Sequence, residues 1–268
     1  MLKKSQNIQI EVIGGVLLNA LYDMHQNVND VDSCEASLIL GLGCNMAYFD
    51  TDIGQVVCTE MGGYGEKGEL DSIQIPFDKI IIFEQSMHKG EQAMEKMGVS
   101  DIYMGELVRL IMVDLIKKGM IFSGGEFDGI SEPFCLKGSQ FVTQVLSASE
   151  WGLMNQVQDI LVKYELFGTF SDCEAVVAIC TAVSKRAAKI VAMFVAGVVL
   201  RLTPTRSLLT IACDGGLYRK HPCLARWIEK FANEFLEELK IHMRIKLANS
   251  TLSSGPGAVA CTLGKLYL

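Results

Sequence analysis

The sequence predicts an α/β fold, in which short strands alternate with amphipathic helices along one chain of 268 residues. Three observations favour this class. Strand-like segments end in glycine-bearing turns, other segments carry apolar residues at helical spacing, and 50% of the residues are hydrophobic, which is enough to bury a sizeable core. No internal repeat, linker or low-complexity run interrupts this pattern.

The first half of the chain holds three predicted strands and one predicted helix. The strands cover residues 8–13, 37–40 and 55–59, which are short, rich in aliphatic side chains and bounded by glycines. Residues 107–115 carry leucine and isoleucine at helical spacing, with charged residues between them. Gly119 follows, and we expect it to cap the C-terminus of this helix.

The second half again alternates helix and strand. Asp172 is placed to cap a long helix that continues through residues 176–190. Residues 208–213 form a predicted buried strand, and residues 224–239 form a predicted amphipathic helix. Residues 241–247 alternate apolar with basic side chains, so we predict a strand with one buried face.

Composition excludes several classes of function. The net charge of −7 and the pI of about 5.2 leave no basic stripe for a nucleic acid. The cysteines and histidines form neither a C-x-x-C pair nor a zinc-spaced cluster, so we expect no metal site. The apolar run at residues 190–200 is too short to span a membrane. The odd, dispersed set of nine cysteines is typical of reduced thiols, which predicts a cytoplasmic protein.

Glycine-bearing turns follow three strand-like segments, at residues 41–43, 214–216 and 253–257. Glycine lets backbone N–H groups approach a phosphate closely, and a following helix N-terminus favours negative charge. Any one of these turns is equally a simple chain reversal. Three of them in one α/β chain favour a nucleotide or phosphate site.

Five stretches carry a resemblance to a known family. Residues 95–109 (E-K-M-G-V-S-D-I-Y-M-G-E-L-V-R) are similar to the hexokinase run E-K-M-I-S-G-M-Y-L-G-E-I-V-R. Residues 213–222 resemble V-D-G-S/T-L-Y-x-x-H-P, and residues 183–188 resemble V-S-R-R-A-A. Residues 59–65 resemble T-E-W-G-A-F-G, and residues 71–79 resemble a further hexokinase segment. In order and spacing the chain therefore resembles the hexokinase family.

The resemblance extends over residues 10–262 and implies a fold and an activity. The implied fold is the actin-like ATPase, or ribonuclease H-like, architecture of a hexokinase large lobe. The implied activity is ATP-dependent phosphorylation of a hexose such as glucose at its 6-hydroxyl, the first step of glycolysis, with Mg²⁺ accompanying the ATP. Residues 1–268 are expected to form one large, C-terminal domain with no small lobe upstream of Lys3, and a one-walled site is expected to bind hexose weakly or undetectably.

Three residues match the family positions that hold the sugar. Asn45 matches the asparagine of G-T-G-x-N, Glu60 the glutamate of T-E-W-G, and Glu95 the glutamate of E-K-M. Amide and carboxylate groups suit this role because a carboxylate can accept two hydrogen bonds from neighbouring hydroxyls. We expect these three side chains to converge on the hexose.

A second set of residues matches the family positions near the nucleotide. Ser139 falls where the family has a hydroxyl-bearing threonine near the phosphates. In the third glycine turn, Pro256 replaces the family's lysine and removes a backbone donor. The nucleotide-side positions are Gly41, Gly43, Ser139, Asp214, Gly215, Gly216, Ser254 and Gly255.

The catalytic position departs from the family pattern. The family's aspartate in V-V-N-D-T-V-G accepts the proton of the sugar hydroxyl, but Leu18 stands in its place and Leu17 replaces the asparagine. Asp30, in the sequence Val-Asn-Asp, is not a substitute because it lies much closer to Gly41 than the family's aspartate does. Leu42 also replaces the threonine of G-T-G, which offers a hydroxyl to phosphate. No catalytic residue is therefore assigned.

Two hypotheses remain open. The first is a hexokinase-family enzyme, either of weak activity or represented by an incomplete chain. The second is a non-catalytic family member that binds a sugar, a nucleotide or a partner chain such as an active hexokinase. A gene copy without a selected role is a third alternative, which unstable folding would distinguish.

Overall fold

The computed structural model describes residues 34–50, 52–84, 93–124, 128–202 and 207–249. The predicted strand at residues 8–13, the catalytic position Leu18 and the turn that holds Ser254 and Gly255 lie outside the described residues. Five strands and seven α-helices follow one another along the described chain. In order they are β1 (Cys34–Leu40), β2 (Cys44–Asp50), β3 (Gln55–Cys58), α1 (Pro76–Phe83), α2 (Asp101–Lys117), α3 (Ser139–Glu150), α4 (Met154–Val162), α5 (Phe170–Leu202), β4 (Leu208–Asp214), α6 (Gly216–Lys220), α7 (Leu224–Glu238) and β5 (Arg244–Asn249).

The chain forms two compact units. The first takes its described residues from Met1–Met61, Val191–Arg219 and Ala225–Leu268. The second takes them from Gly62–Ile190 and Lys220–Leu224. The α/β class is confirmed, since the first unit is built on a mixed sheet and the second is built from helices.

The sheet of the first unit has the strand order β3-β2-β1-β4-β5. The pairs β1–β2 and β2–β3 are antiparallel, whereas β1–β4 and β4–β5 are parallel. β1 is central: its side chains Ala36, Leu38 and Leu40, which share one face of the sheet, are fully buried, and so is Ser37 on the opposite face. The register pairs Ile39 with Asp214, so β1 and the parallel β4 end at the same edge of the sheet.

Helix α7 covers the edge strand β5 through its buried face and through the polar side chains of Asn233 and Glu229, the second of which accepts from the N–H of Leu247 at 2.8 Å. Ile228, Ala232 and Leu236 recur at intervals of four residues and are fully buried. Asn233 donates to the carbonyl of Ile245 at 3.0 Å and accepts from its N–H at 2.8 Å. The predicted helix at residues 224–239 is thus confirmed.

The predicted strand at residues 241–247 begins three residues later than expected, at Arg244. Lys240 has a positive φ of 58°, and the N–H of Ile241 bonds the carbonyl of Leu236 at 2.9 Å. This is the hydrogen-bond pattern of a Schellman cap, so the first residues of the alternating stretch close the preceding helix.

The second unit packs α2 against α1 and α3, and α3 against α4. Gly105 lets α2 approach the turn before α3, because a Cβ there would lie 2.1 Å from the carbonyl oxygen of Gly138. Gly119 has a φ of +67° and ends α2, and the neighbouring N–H of Met120 bonds the carbonyl of Leu115 at 2.9 Å. The predicted C-terminal cap is therefore confirmed.

The long helix was predicted with Asp172 as its cap, but this residue lies one turn further in. Thr169 is the capping residue: its hydroxyl accepts from the N–H of Asp172 at 3.3 Å, and Asp172 accepts from the N–H of Thr169 at 2.7 Å. The reciprocal pair is a capping box. Burial raises the pKa of Asp172, but N–H groups of Phe122 and Thr169 and the threonine hydroxyl outweigh it and hold that pKa below its usual value.

Candidate functional site

Two glycine turns meet at the shared edge of β1 and β4. Gly41 and Gly43 close the three-residue hairpin between β1 and β2, with the N–H of Gly41 bonding the carbonyl of Gly43 at 2.8 Å. A Cβ on Gly41 would lie 3.5 Å from the backbone nitrogen of Gly216 and 3.8 Å from the Cα of Gly215. The structure thus brings together five of the residues predicted on the nucleotide side.

Gly215 is required by this arrangement. Its φ is +112°, and a Cβ there would lie 2.0 Å from the carbonyl oxygen of Leu40, so no side chain fits. Asp214 orients the turn, since its carboxylate accepts from the N–H of Gly215 at 2.5 Å and pairs with Arg219 at 2.7 Å. Its carboxylate is held in place by the turn itself.

Leu42 lies between the two glycines of the hairpin and is 72% exposed. An exposed leucine at a tight turn gains nothing from burial, and its side chain has no group that can bond a phosphate oxygen. Any phosphate at this turn would therefore depend on backbone N–H groups.

The predicted hexose residues Asn45 and Glu60 lie together in the first unit. The oxygen of the Asn45 amide accepts from the N–H of Met46 at 2.8 Å and of Met61 at 3.2 Å. Its nitrogen then points to Glu60, whose Oε1 it approaches to 3.4 Å. Glu60 is exposed and has a positive φ of 50°, a conformation that only glycine adopts without cost.

Cys58 completes this pair, and sequence reasoning missed it. Its thiol donates to Oε1 of Glu60 at 3.1 Å and accepts from Nδ2 of Asn45 at 3.4 Å. Burial, followed by the hydrogen bond to Glu60, raises the pKa of the Cys58 thiol to about 11. Its spacing gave no signal, since β3 ends at Cys58 and Glu60 has a positive φ, so the alternation of a strand does not extend to Glu60.

Glu95 belongs to the second unit and is described there. It is 6% exposed and opens the π-helical turn Glu95–Val99, which leads into α2. Gly98, with a φ of +83°, lets the chain leave this turn. Its convergence with Asn45 and Glu60 on a hexose stays a prediction.

Ser139 is the first residue of α3 and is buried. Its hydroxyl donates to Asp101, the first residue of α2, which also accepts from the N–H of Ser139 at 3.2 Å. A phosphate oxygen needs the serine as a donor, and a hydroxyl has one proton to give. A phosphate contact would therefore require the hydroxyl to turn away from Asp101, a residue that the sequence analysis did not identify.

The described residues contain neither a metal-binding cluster nor a membrane-spanning helix. They hold no group of three or more His, Cys, Asp or Glu side chains that could bind a metal ion. No helix among them is long and apolar enough to cross a membrane. A surface cavity of about 870 Å³ lies beside α7 and the start of β5, and none of the predicted site residues lines it.

The fold and these residues agree with known proteins. Residues 35–263 match the family model described as hexokinase. Mouse hexokinase-1 is 32% identical over an alignment that covers 97% of this chain and 27% of the mouse protein. Human hexokinase-1 is 35% identical, with 87% of this chain and 26% of the human protein covered. This chain belongs to the hexokinase family.

Solved structures show the same likeness. The hexokinase of Schistosoma mansoni, solved in complex with glucose, superposes with a TM-score of 0.77 and is 28% identical. The alignment covers 94% of this chain and 56% of the schistosome chain. A second hexokinase crystal structure gives a TM-score of 0.76 at 26% identity. The chain thus spans about a quarter of the mammalian relatives and about half of the solved ones.

Proposed function

We propose that residues 1–268 form the large, C-terminal lobe of a hexokinase-family protein, which binds a hexose such as glucose and ATP with Mg²⁺. The family reaction is phosphorylation of the sugar 6-hydroxyl, the first step of glycolysis. The observation that carries the proposal is the hydrogen-bonded pair of Asn45 and Glu60, 3.4 Å apart, at positions that the family uses for the sugar. The cytoplasm is the proposed location, on the basis of the dispersed cysteines.

Hexose binding would use the free acceptor capacity of this pair. Oε1 of Glu60 is taken by Asn45 and Cys58, and its Oε2 accepts no hydrogen bond from the described residues. A carboxylate oxygen of this kind can accept from a sugar hydroxyl. Glu95 is proposed as a further hexose residue by resemblance alone.

ATP would use the paired glycine turns at the edge of β1 and β4. Gly41 and Gly215 let the two turns come together, but their own N–H groups bond the carbonyl of Gly43 and the carboxylate of Asp214, so a phosphate there would bond other backbone N–H groups of these turns. Ser254 and Gly255 are proposed on the same side by resemblance. Mg²⁺ would arrive with the triphosphate, which supplies oxygen ligands of the kind that this ion prefers.

We propose that catalysis by this chain is impaired. The family aspartate takes the proton of the attacking hydroxyl, and Leu18, which matches its position, can neither accept a proton nor a hydrogen bond. Loss of a positioned base typically lowers the rate by about 10²–10⁴-fold. The exposed Leu42 removes a hydroxyl from the phosphate turn as well.

A non-catalytic role is the second candidate, as a sugar- or nucleotide-binding module or as a partner of an active hexokinase chain. The observation in its favour is that both hydroxyl positions near the phosphates are altered or occupied. Leu42 has no hydroxyl, and that of Ser139 is donated to Asp101. Binding without turnover would follow from this arrangement.

Titration calorimetry with millimolar glucose and with Mg·ATP, together with a coupled assay of glucose 6-phosphate, tests the proposal. We expect weak glucose binding that Glu60→Ala abolishes, and turnover far below that of an active hexokinase assayed in parallel. Glu66→Ala, at an exposed glutamate in the next turn, is the matched control and should bind like the parent chain. Binding that survives Glu60→Ala would contradict the assigned hexose site.

A further inference from the structure

Cys58 forms a closed cluster with the two proposed hexose residues of the first unit. Its sulfur lies 3.1 Å from Oε1 of Glu60 and 3.4 Å from Nδ2 of Asn45, and the same Nδ2 lies 3.4 Å from Oε1. Each member therefore contacts both of the others. The amide of Asn45 is held from its other end by two backbone N–H groups, so the cluster has a fixed base.

The backbone beside this cluster is anchored up to Thr59 and strained at Glu60. The N–H and hydroxyl of Thr59 both bond the carbonyl of Met46, at 2.9 and 2.8 Å. The next residue has a φ of +50°, which costs a non-glycine residue free energy. A strained backbone does not orient an exposed side chain by itself, so the carboxylate of Glu60 depends on its contacts with Cys58 and Asn45.

These contacts divide the two carboxylate oxygens between two tasks. Oε1 receives both hydrogen bonds of the cluster, and Oε2 receives none from the described residues. Holding one oxygen defines the plane and direction of the other. The carboxylate of Glu60 can in this way present Oε2 as an acceptor to one particular sugar hydroxyl.

We propose that Cys58 is a positioning residue for hexose recognition: its thiol holds Oε1 of Glu60 against Asn45 and so presents Oε2 to a sugar hydroxyl. This inference rests on the proposed hexose site. It adds a specific chemical requirement, which is that residue 58 must donate a hydrogen bond. The thiol meets this requirement at neutral pH, because its pKa of about 11 keeps it protonated.

The contact is tested without any sugar by measuring how fast iodoacetamide alkylates Cys58 between pH 7 and 11, resolved by peptide mass spectrometry. Only the thiolate reacts, so the rate follows the pKa of the thiol. In Glu60→Gln the negative charge is gone, and we expect alkylation of Cys58 at pH 9 to rise about three- to tenfold. Cys135, measured in the same digests, has no such contact with Glu60 and should keep its rate. An unchanged rate for Cys58 would overturn the proposal.

The role in recognition is tested by glucose titration of Cys58→Ala and Cys58→Ser. We expect alanine to weaken binding about tenfold, the effect of losing one hydrogen bond to a charged group, and serine to recover most of the affinity because it keeps a donor. A merely structural role would show equal losses in both variants, and this result would overturn the proposal. Thermal melting of both variants shows whether they fold. If Cys58→Ala does not fold, the alkylation of Cys58 in Glu60→Gln still tests the contact, because Glu60 is at an exposed position.

A wrong hexose site and a wrong role for Cys58 would give different experimental results. If the parent chain binds no glucose at millimolar concentration, the proposed hexose site is wrong and the role of Cys58 in it is wrong too, whatever the alkylation shows. If glucose binds but Cys58→Ala binds it as tightly as the parent, the hexose site stands and only the role of Cys58 is overturned.

Discussion

His221 is a buried histidine that acts through both ring nitrogens. Nδ1 accepts from the N–H groups of Cys223 and Leu224, at 3.2 and 3.0 Å, and Nε2 lies 2.9 Å from the hydroxyl of Ser184. Since Nδ1 is an acceptor, the neutral ring carries its proton on Nε2. Burial lowers the pKa of His221 to about 4, with Glu150 opposing part of the shift. The ring therefore accepts the N–H groups at the start of α7 only in its neutral form, because a protonated Nδ1 cannot accept a hydrogen bond.

This histidine predicts a loss of stability in mild acid. The unfolded chain takes up the proton near pH 6.5 and the folded chain near pH 4, so stability falls as the pH falls through this window. The full loss is about 3 kcal/mol. His221→Asn keeps a capping acceptor but does not titrate. Urea unfolding at pH 7 and pH 5 should therefore show a smaller pH dependence for the variant, and an equal dependence would contradict the assignment.

At the scale of single residues, the sequence predicted the site only in part. Asn45 and Glu60 were identified because they stand in family motifs, and the structure places them in contact. Cys58 and Asp101 were missed because their roles arise from contacts made by folding. The thiol reaches Asn45 through the pairing of β2 with β3, and Asp101 reaches Ser139 through the packing of α2 on α3. No spacing in the sequence reveals either contact.

Among the elements, the start of α5 carries a measurable contribution to stability. Asp172 accepts from the N–H of Thr169 within the capping box and from the N–H of Phe122, 50 residues earlier, at 2.8 Å. One carboxylate therefore completes the capping box of Thr169 and fixes the loop after α2.

Replacing this carboxylate should destabilise the second unit. We expect Asp172→Ala to lower the free energy of unfolding by about 1–2 kcal/mol, the usual value of a helix cap, with the loop contact adding to it. The pKa of Asp172 is held below its usual value. The stabilisation by this carboxylate is therefore complete at pH values above the usual pKa of an aspartate, and it is lost as the pH falls towards the lowered pKa. Glu174→Ala, at an exposed position on the same helix, should change little. Equal urea midpoints for the two variants would refute the cap.

Element types could be predicted where periodicity was sustained, and boundaries could not. The helix at residues 224–239 matches α7 because its apolar stripe is long. The strand at residues 241–247 began too early because a Schellman cap and a strand edge can share one alternating pattern. β2 was not predicted, since Cys44–Asp50 follows a glycine turn directly and its residues 46–49 are all apolar, so no alternation marks a strand.

For the whole molecule, the α/β class followed from the sequence, but the strand order did not. Strand order depends on which hydrophobic segments pair across long stretches of chain, and the described residues between β3 and β4 form helices and turns but no strand. The structure shows that the antiparallel hairpins lie on one side of β1 and the parallel β4 on the other. This mixed order explains why two turns far apart in sequence, at Gly41 and Gly215, come into contact.

The candidate phosphate site combines turns that are distant in sequence, so one substitution is not expected to restore catalysis. We expect that Leu18→Asp alone will not produce ATP-dependent hexose phosphorylation. A base helps only when it lies about 3 Å from the proton it takes while the phosphoryl group is held in line. Leu42 would still deny the phosphate turn a hydroxyl, so the new carboxylate would act on a poorly held substrate.

The parts of one site act together, and their effects do not add. Leu18→Asp combined with Leu17→Asn and Leu42→Thr should therefore give more glucose 6-phosphate than the separate variants would suggest. The coupled assay compares the single and triple variants with Leu239→Asp, an exposed leucine replaced in the same way, which controls for added charge. Robust turnover by Leu18→Asp alone would show that the base was the missing part, and that the phosphate turn with Leu42 still holds ATP well enough for transfer.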